Sequence, residues 1–288
     1  VEMLVPFPLE TAVNGATHVR RVRSSSTTGF SVLWVEFEWN TDIYLARQIV
    51  SEKLATVNDA LPDNVGQPTL GPQSSILGEV MIVGLTSDST SMLDLRTIAD
   101  WTIRPRLLST GGVAQVSVLG GDIKEYQILI HPNKMKHYGV TLAEVMEATR
   151  RMNQNTSGGV IYEHGNEYIV RGVVTTNKIA EIGSCVVKLA ENGMPITLNE
   201  VSTVQVGSQE PKLGLASERG KPAVLLTITK QPNTSTMELT EKLEHALEDL
   251  QKALPEDIKV STDIFQQSKF IDSSIHNVKT SLIEGALF

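Results

Sequence analysis

The residue types best suited to chemistry gather in three places along the chain. They are His131, Met135 and His137; Glu163, His164 and Glu167; and the single cysteine, Cys185. Neighbouring imidazole and thioether groups are donors that soft or borderline metals accept, and an activated thiolate is a nucleophile. Each of these groups of residues could therefore form a metal site or a reactive site.

The first cluster lacks the geometry of a metal centre. A short helix is expected to start at Pro132 and to end at Gly139, so His131 and Met135 flank its start while His137 points elsewhere. Methionine also fills gaps in cores far more often than it binds metal. We therefore predict surface or packing roles for these side chains and no metal site.

The group around His164 and the single cysteine are also expected to have structural roles. The acidic cluster surrounds Gly165-Asn166, which is typical of a solvated hairpin tip, and Cys185 precedes two valines, which indicates a buried, inert thiol. The sequence contains no phosphate-binding loop, no His-Glu-x-x-His motif and no Gly-x-Ser-x-Gly motif. It thus predicts no catalytic, cofactor-binding or metal-binding residue, and no enzyme.

Composition narrows the class of protein further. The 288 residues carry 33 acidic and 25 basic side chains, and the net charge of −8 disfavours a nucleic-acid or anionic-lipid surface. Hydrophobic residues make up 41% of the chain, which is enough to bury real cores. No window holds about 18 consecutive apolar residues, so no segment of the sequence is expected to span a bilayer. One cysteine excludes an intramolecular disulfide and a cysteine-based zinc cluster.

Hydrophobic periodicity predicts the elements that position these residues. Helices are expected over 42–60, 92–108, a stretch after 141, and 236–253, with capping-box spacing at Thr141/Glu144 and Ser235/Glu238. Strands are expected over 19–26, 30–39, 113–119, 126–130, 168–174 and 223–229. In the second of these strands, Leu33, Val35, Phe37 and Trp39 alternate onto one face.

An internal echo indicates two related units. Residues 52–65 and 241–258 both start with Glu-Lys-Leu and both contain Ala-Leu-Pro, at 60–62 and 253–255, and each stretch lies between two predicted strands. Such strand–helix–strand units predict α+β sandwiches, each a sheet with helices on one face. We expect a first sandwich at 1–75 without its leading strand, a second split over 76–125 and 209–265, and an insertion at 126–208. Both chain ends suggest a piece of a longer chain.

Several stretches resemble the periplasmic porter region of resistance-nodulation-division efflux pumps, above all the heavy-metal efflux branch. They are residues 7–15, 22–27 with Gly29, 37–42, 46–48, 112–116, Gly120-Gly121 ahead of 124–126, 138–145 and the tail 270–275. The stretches follow the order of the family and cover essentially the whole chain.

The resemblance implies a specific architecture and location. It implies two ferredoxin-like porter subdomains, at 1–75 and at 76–125 plus 209–265, with a docking subdomain inserted at 126–208. Residues 266–288 would lead into the second transmembrane helix. The parent protein would be a bacterial inner-membrane transporter with this segment in the periplasm. It would form a homotrimer that binds a periplasmic adaptor protein and an outer-membrane channel.

Within the docking subdomain, the resemblance implies a hairpin arm that reaches the neighbouring protomer. The stretch 158–174 matches this arm, and Tyr162, His164, Asn166 and Tyr168 are the expected arm residues. One departure concerns His131, since members of the family commonly have an aspartate at that position.

The implied function is proton-driven export of heavy-metal cations, with the proton-relay acids and the methionine ligands of copper and silver members outside this chain. The low aromatic content, 5% of residues, favours a metal or small-ion cargo over drugs. Three alternatives stay open at this point. They are a multidrug pump of the same superfamily, a soluble sandwich that binds a small ligand, and a structural assembly module that makes no contact with cargo.

Overall fold

The structure of the chain, a computed structural model, describes residues 3–27, 29–57, 61–62, 65–72, 78–152, 156–163, 166–172, 176–212 and 214–287. The helices are α1 (Pro6–Asn14), α2 (Ile43–Ala55), α3 (Met92–Ile98), α4 (Arg104–Leu108), α5 (Pro132–Tyr138), α6 (Leu142–Met152), α7 (Ile179–Gly183), α8 (Leu198–Val201), α9 (Thr236–Ala253) and α10 (Gln267–Leu287). The strands are β1 (Val19–Thr27), β2 (Phe30–Phe37), β3 (Glu79–Ser87), β4 (Val113–Gly120), β5 (Lys124–Ile130), β6 (Thr156–Glu163), β7 (Asn166–Gly172), β8 (Val186–Leu189), β9 (Pro195–Thr197), β10 (Ser202–Ser208), β11 (Ser217–Glu218), β12 (Lys221–Pro222), β13 (Val224–Lys230) and β14 (Ile258–Gln266). The predicted α+β class is confirmed.

The chain divides into two compact units. The first comprises Val1–Glu79, Gly112–Gln115 and Thr229–Ser235. The second comprises Val80–Gly111, Val116–Ile228 and Thr236–Phe288.

The first unit contains a hairpin and two helices. β1 and β2 pair antiparallel from Val19↔Phe37 to Thr27↔Phe30, which confirms the predicted hairpin. The alternation that predicts Trp39 on the apolar face of β2 is wrong, because the Trp39 side chain is 86% exposed. The strand ends at Phe37, and the left-handed φ of 68° at Asn40 then turns the chain out of the extended conformation.

α2 begins as predicted and ends earlier than predicted. The Asp42 side chain caps it by accepting hydrogen bonds from two amides of the first turn, at 2.9 and 3.0 Å. The helix ends at Ala55, where the hydroxyl of Thr56 donates to the carbonyl of Lys53 at 2.7 Å. Such a local side-chain bond competes with continuation of the helix. The last predicted residues, 58–60, lie outside the described residues.

A four-stranded sheet has the order β14-β3-β13-β4. Along the chain, β3, α3–α4 and β4 form one βαβ half, and β13, α9 and β14 form the other. This is the βαββαβ arrangement of a ferredoxin-like sandwich, interrupted by the residues between β4 and β13. The helix predicted over 236–253 has the observed bounds of α9.

Each element of this sandwich turns one apolar side inward. On β13, Val224, Leu226 and Ile228 alternate and are fully buried. The buried stripe of α9 consists of Leu239, Leu243, Ala246, Leu247 and Leu250. Burial of one leucine or isoleucine side chain stabilises a fold by about 1.5–3 kcal/mol, so these stripes hold the helices on the sheet.

A π-helical turn, Ala99–Ile103, joins α3 to α4. Its signature is the hydrogen bond from the Arg104 amide to the Ala99 carbonyl, five residues back. Pro105 accounts for this turn, because a proline ring clashes with the carbonyl four residues before it, here that of Trp101. The wider turn relieves the clash, so the helix predicted over 92–108 continues through the proline.

A carboxylate anchors the turn between β3 and α3. Oδ2 of Asp257 accepts hydrogen bonds from the hydroxyls of Ser87, Ser89 and Thr90, and from the Thr90 amide at 2.9 Å. These bonds favour the charged carboxylate, the Ser87 bond most of all, and hold the pKa of Asp257 far below its ordinary range. α3 begins directly after this turn, where the Ser91 hydroxyl accepts a hydrogen bond from the Asp94 amide at 3.1 Å.

Candidate functional site

Residues 124–208 carry a hydrophobic core of their own. Its buried members are Val140, Val145, Ile182, Ile196, Leu198, Val201 and Val204. β5 and β10 are the strands by which the chain enters and leaves this segment. They pair antiparallel from Lys124↔Ser208 to Ile130↔Ser202, so the two ends of the segment lie side by side.

β6 and β7 form a separate two-stranded hairpin within this segment. They pair from Thr156↔Gly172 to Glu163↔Asn166, and among the described strands they pair only with each other. The register shifts between Ser157 and Val160. A strand of the length of β6, 8 residues, rises about 26 Å.

The predicted arm residues fall at the closed end of this hairpin. Tyr162 of β6 lies opposite Glu167, Tyr168 of β7 lies opposite Ile161, and Asn166 is the first residue of β7. His164 lies outside the described residues. Three of the four predicted residues are thus brought together within the last paired positions, and the tip carries the acidic residues that the sequence analysis places in a hairpin turn.

An open apolar groove lies between α6 and β5, with a volume of about 660 Å³. It is lined by Ile128, Ile130, Leu142, Val145, Met146, Thr149 and Arg150. Leu142 is 54% exposed and Met146 is 49% exposed, although both are large apolar side chains one turn apart on α6. Ile128 and Ile130 line the groove from one face of β5, and among the described strands β5 pairs with β10 alone.

The electrostatics of the groove come from one end of α6. Arg150 forms no ion pair with any residue that the structure describes, and it brings a positive charge to a groove whose other lining residues are uncharged. The hydroxyl of Thr149 donates to the carbonyl of Val145 at 2.8 Å and is therefore satisfied within the helix. The groove thus offers an apolar floor and a single cation.

The start of α6 is fixed by a capping box, as predicted. The Thr141 amide donates to Glu144 at 2.7 Å, and the Glu144 amide donates to the Thr141 hydroxyl at 3.3 Å. Lys188 pairs with Glu144 at 3.1 Å and also donates to the Gly139 carbonyl at 2.9 Å. The Thr141 amide, followed by Lys188, lowers the pKa of Glu144, so this carboxylate stays charged and holds the groove helix in place.

The remaining candidate residues take structural roles. The ring of His131 lies 2.8 Å from the Thr203 hydroxyl, and His137 packs edge-on against Tyr138 with ring centroids 5.0 Å apart. Cys185 is half-buried rather than buried as predicted, because it packs at the edge of the 124–208 core, and this partial burial raises the pKa of its thiol. Among the residues that the structure describes, no three His, Cys, Asp or Glu side chains gather as metal ligands.

α10 presents an apolar stripe that contributes to another open groove. Its members are Ile275, Val278, Leu282 and Ile283, each more than half exposed. Within the described ranges, no helix is both long enough and apolar enough to cross a membrane.

A comparison with known protein families shows to which family the chain belongs. The profile of the AcrB/AcrD/AcrF family matches residues 1–288. The chain belongs to the AcrB/AcrD/AcrF family. The predicted resemblance to resistance-nodulation-division pumps is confirmed.

Curated relatives in the AcrB/AcrD/AcrF family are identical to this chain at about a third of the aligned positions. Protein HelA of Legionella pneumophila is 34% identical over 100% of this chain and 28% of its own length. The cation efflux system protein CusA of Escherichia coli K12 is 33% identical over 99% of this chain and 27% of its own. The cobalt-zinc-cadmium resistance protein CzcA of Cupriavidus metallidurans is 30% identical over 99% and 27%. The chain thus spans between a quarter and a third of the length of these relatives.

Solved structures agree with this assignment to the AcrB/AcrD/AcrF family. One crystal form of a heavy metal efflux pump matches with a TM-score of 0.89 and 26% identity, over 99% of this chain and 28% of that chain. A second crystal form matches with a TM-score of 0.86. The ferredoxin-like sandwich and the 124–208 segment therefore belong to the fold of this family.

Sequence reasoning did not find the groove. The capping box at Thr141 predicts where α6 starts, but which side of α6 stays exposed depends on the packing of β8 against it. The available signal was the pair Leu142 and Met146, four residues apart and displaced from the buried pair Val145 and Ala148. Two apolar stripes on one short helix indicate a second covered surface.

Proposed function

We propose that this chain is the periplasmic part of a proton-driven inner-membrane transporter that exports heavy-metal cations. The observation that carries the proposal is similarity, over at least 99% of this chain, to parts of proteins whose names state cation efflux or cobalt, zinc, cadmium and nickel resistance. The role of this part is mechanical. Its packed sandwiches shift as near-rigid bodies during transport, and it is not an enzyme.

The subdomain layout belongs to the same proposal. Residues 1–75 form one porter subdomain, 76–125 with 209–265 a second, 126–208 the docking subdomain, and 266–288 the approach to a transmembrane helix. The separate core of the 124–208 segment and the paired entry and exit strands support the insertion. The docking subdomain binds an outer-membrane channel, and the assembled pump binds a periplasmic adaptor.

Growth of a metal-sensitive bacterial strain tests the transport proposal. The complete gene that contains this chain is expressed together with its adaptor and channel, and growth is measured across separate series of metal salts and drugs. Protection against at least one transition-metal cation, and not against drugs, is the expected result. Protection against drugs alone supports a multidrug pump and overturns the metal assignment.

We further propose that the β6–β7 hairpin is an assembly arm that occupies the α6/β5 groove of a neighbouring copy in a homotrimer. The groove supplies exposed apolar side chains and the cation Arg150. The hairpin supplies two tyrosines and an acidic tip at Glu163 and Glu167. Apolar contact and opposite charge therefore match between the two surfaces.

A matched pair of substitutions on α6 tests the arm. Leu142→Glu places a carboxylate on the lining of the groove, whereas Ala143→Glu adds the same charge to the next exposed position, outside the lining. Both lie in the first turn, where a carboxylate is favourable, so both variants should fold. The detergent-solubilised full-length pump is expected to lose trimers on chemical cross-linking with Leu142→Glu only. Equal trimer yields in both variants contradict the arm assignment.

A further inference from the structure

Two short stretches of chain join the 124–208 segment to the ferredoxin-like sandwich. The entry connection, residues 120–123, leads from the end of β4 to β5. The exit connection, residues 209–212 with Gly214, follows β10. A change in the angle between the segment and the sandwich therefore requires these two connections to bend.

The entry connection is bound to α3 of the sandwich. Arg96 donates from Nη1 to the Gly120 carbonyl at 2.6 Å, and its side chain is only 13% exposed. The Asp122 amide donates to the Met92 carbonyl at 3.3 Å. Gly121, with a φ of 69°, allows this approach, because an added Cβ would lie 2.7 Å from the Arg96 Cβ. The entry connection is thus the side of the junction that the sandwich holds.

The exit connection is bound in turn to the entry connection. The Gln209 amide donates to the Ile123 carbonyl at 2.9 Å. Nζ of Lys212 lies 2.7 Å from Oδ1 of Asp122, and we name this ion pair the latch. The hydrogen bond from Lys212 to Asp122, together with the charge of Asp122, raises the pKa of Lys212, so the lysine carries its charge throughout the neutral range. Asp122 therefore links both connections, through its amide to the sandwich and through its carboxylate to the exit connection.

The latch is built to open without unfolding of the chain. The side chains of Lys212 and Asp122 are 41% and 25% exposed, so both charges already meet water. Ion pairs with this degree of exposure contribute little to stability and are screened by salt. An open latch thus leaves two hydrated charges rather than two buried, unpaired ones.

A small cavity beside the latch supports the same conclusion. It has a volume of about 60 Å³, and its lining includes both latch residues, Arg96 and Gln209. A cavity of this volume with polar groups in its wall has room for water. Water in the cavity can therefore solvate both latch residues when they separate.

We propose that the latch holds the 124–208 segment at a fixed angle to the sandwich, and that its opening lets the segment pivot on the entry connection. Hinge motions of this kind are absorbed by a few residues at the ends of elements, and both connections lie at such ends. The position of the groove and of the β6–β7 hairpin then depends on one weak ion pair. The device belongs to the chain itself and does not depend on the proposed transport activity.

The distance between two spin labels on the 288-residue chain tests the latch. Cysteines replace Lys134 on α5 and Lys242 on α9, both exposed, and Cys185→Ser removes the native thiol. Pulsed electron paramagnetic resonance at low salt is expected to give a narrow distance distribution for this parent. Lys212→Met, which keeps the length of the side chain and removes its charge, is expected to broaden the distribution or to add a second distance.

The matched control breaks an ion pair of the same length at another place. Lys221 lies 2.7 Å from Asp88 on the sandwich, so Lys221→Met removes an equivalent lysine charge away from the connections. This variant is expected to keep the narrow distribution. Circular dichroism verifies that every variant keeps the helix content of the parent.

Salt and a charge swap separate a latch from a merely local contact. Raising the ionic strength to about 1 M, where screening acts over roughly 3 Å, is expected to broaden the distribution of the parent and to leave that of Lys212→Met unchanged. The double variant Asp122→Lys with Lys212→Asp is expected to recover the narrow distribution at low salt. The proposal is overturned by a distribution in Lys212→Met as narrow as in the parent, by equal broadening in Lys221→Met, by a parent that does not respond to salt, or by a charge swap without recovery.

Discussion

Replacement of Gly120 by alanine is expected to destabilise the ferredoxin-like sandwich by several kilocalories per mole. Gly120 ends β4 with a φ of 80°, in the left-handed region that favours glycine. An added Cβ would lie 2.6 Å from the Ala223 carbonyl oxygen and 2.6 Å from the Ala216 Cβ. Neither atom is the flexible end of a long side chain, so the backbone itself would have to move.

The magnitude follows from two separate costs. A non-glycine residue in the left-handed conformation loses roughly 1–2 kcal/mol. Forcing an extra carbon into a packed site loses about 1–3 kcal/mol more. The expected loss for Gly120→Ala is therefore about 2–5 kcal/mol, a large share of the total stability of a domain.

Two other glycines separate these costs. Gly139 has a φ of 62° but nothing within 4 Å of an added Cβ, so Gly139→Ala should lose only the conformational part, roughly 1–2 kcal/mol. Gly111 has neither a positive φ nor a neighbour within 4 Å, so Gly111→Ala should be neutral or stabilise by about 0.4–1 kcal/mol. Urea unfolding followed by circular dichroism gives the three free energies of unfolding. If Gly120→Ala loses no more free energy of unfolding than Gly139→Ala, the close approach at Gly120 is refuted.

Three further results are expected from the same chain. Leu243→Ala, at a fully buried position of α9, should lower the free energy of unfolding by about 2–5 kcal/mol in urea titrations, and a loss below 1 kcal/mol contradicts its place in the core. Asp257→Asn should lower the melting temperature at neutral pH. The folded state lowers the pKa of the Asp257 carboxyl, so the stability that this carboxylate contributes is present above about pH 4 and is lost as the pH falls further. A difference between the two proteins that persists unchanged at about pH 2 contradicts the charged anchor. The half-buried Cys185 thiol, whose pKa is raised by this partial burial, should react with a maleimide more slowly in the folded chain than in urea, and equal rates contradict its packing against the core.

The sandwich could be predicted from the sequence because its signals are local and repeated. The stripe of α9 and the alternation of β13 each depend on a single buried side. In the 124–208 segment, the capping box at Thr141 likewise fixes a helix start through residues three apart. The resemblance to porter regions arose from segments such as Gly120-Gly121. The structure adds a physical reason for this pair, since both glycines have positive φ and little space around them.

Other features depend on contacts between distant residues and were not predictable in this way. Trp39 has the spacing of a buried strand residue, but β2 ends at Phe37 and the chain turns at Asn40, so Trp39 lies outside the strand. The anchor at Asp257 joins residues far apart in sequence, and its serine and threonine partners have no distinctive spacing. The α6 groove exists because neighbouring strands cover one face of the helix and leave another exposed. The hydrophobic pattern of a single helix does not predict which face they cover.

The most direct test of the central claim is the metal content of preloaded cells that express the complete gene with its adaptor and channel. Cells are loaded with zinc, cobalt, cadmium, nickel, copper or silver and transferred to metal-free medium, and the retained metal is measured over time by mass spectrometry. The account predicts faster loss of at least one cation than in cells without the gene, and abolition of this loss by a proton uncoupler. Equal retention of every cation in both strains contradicts metal efflux as the function.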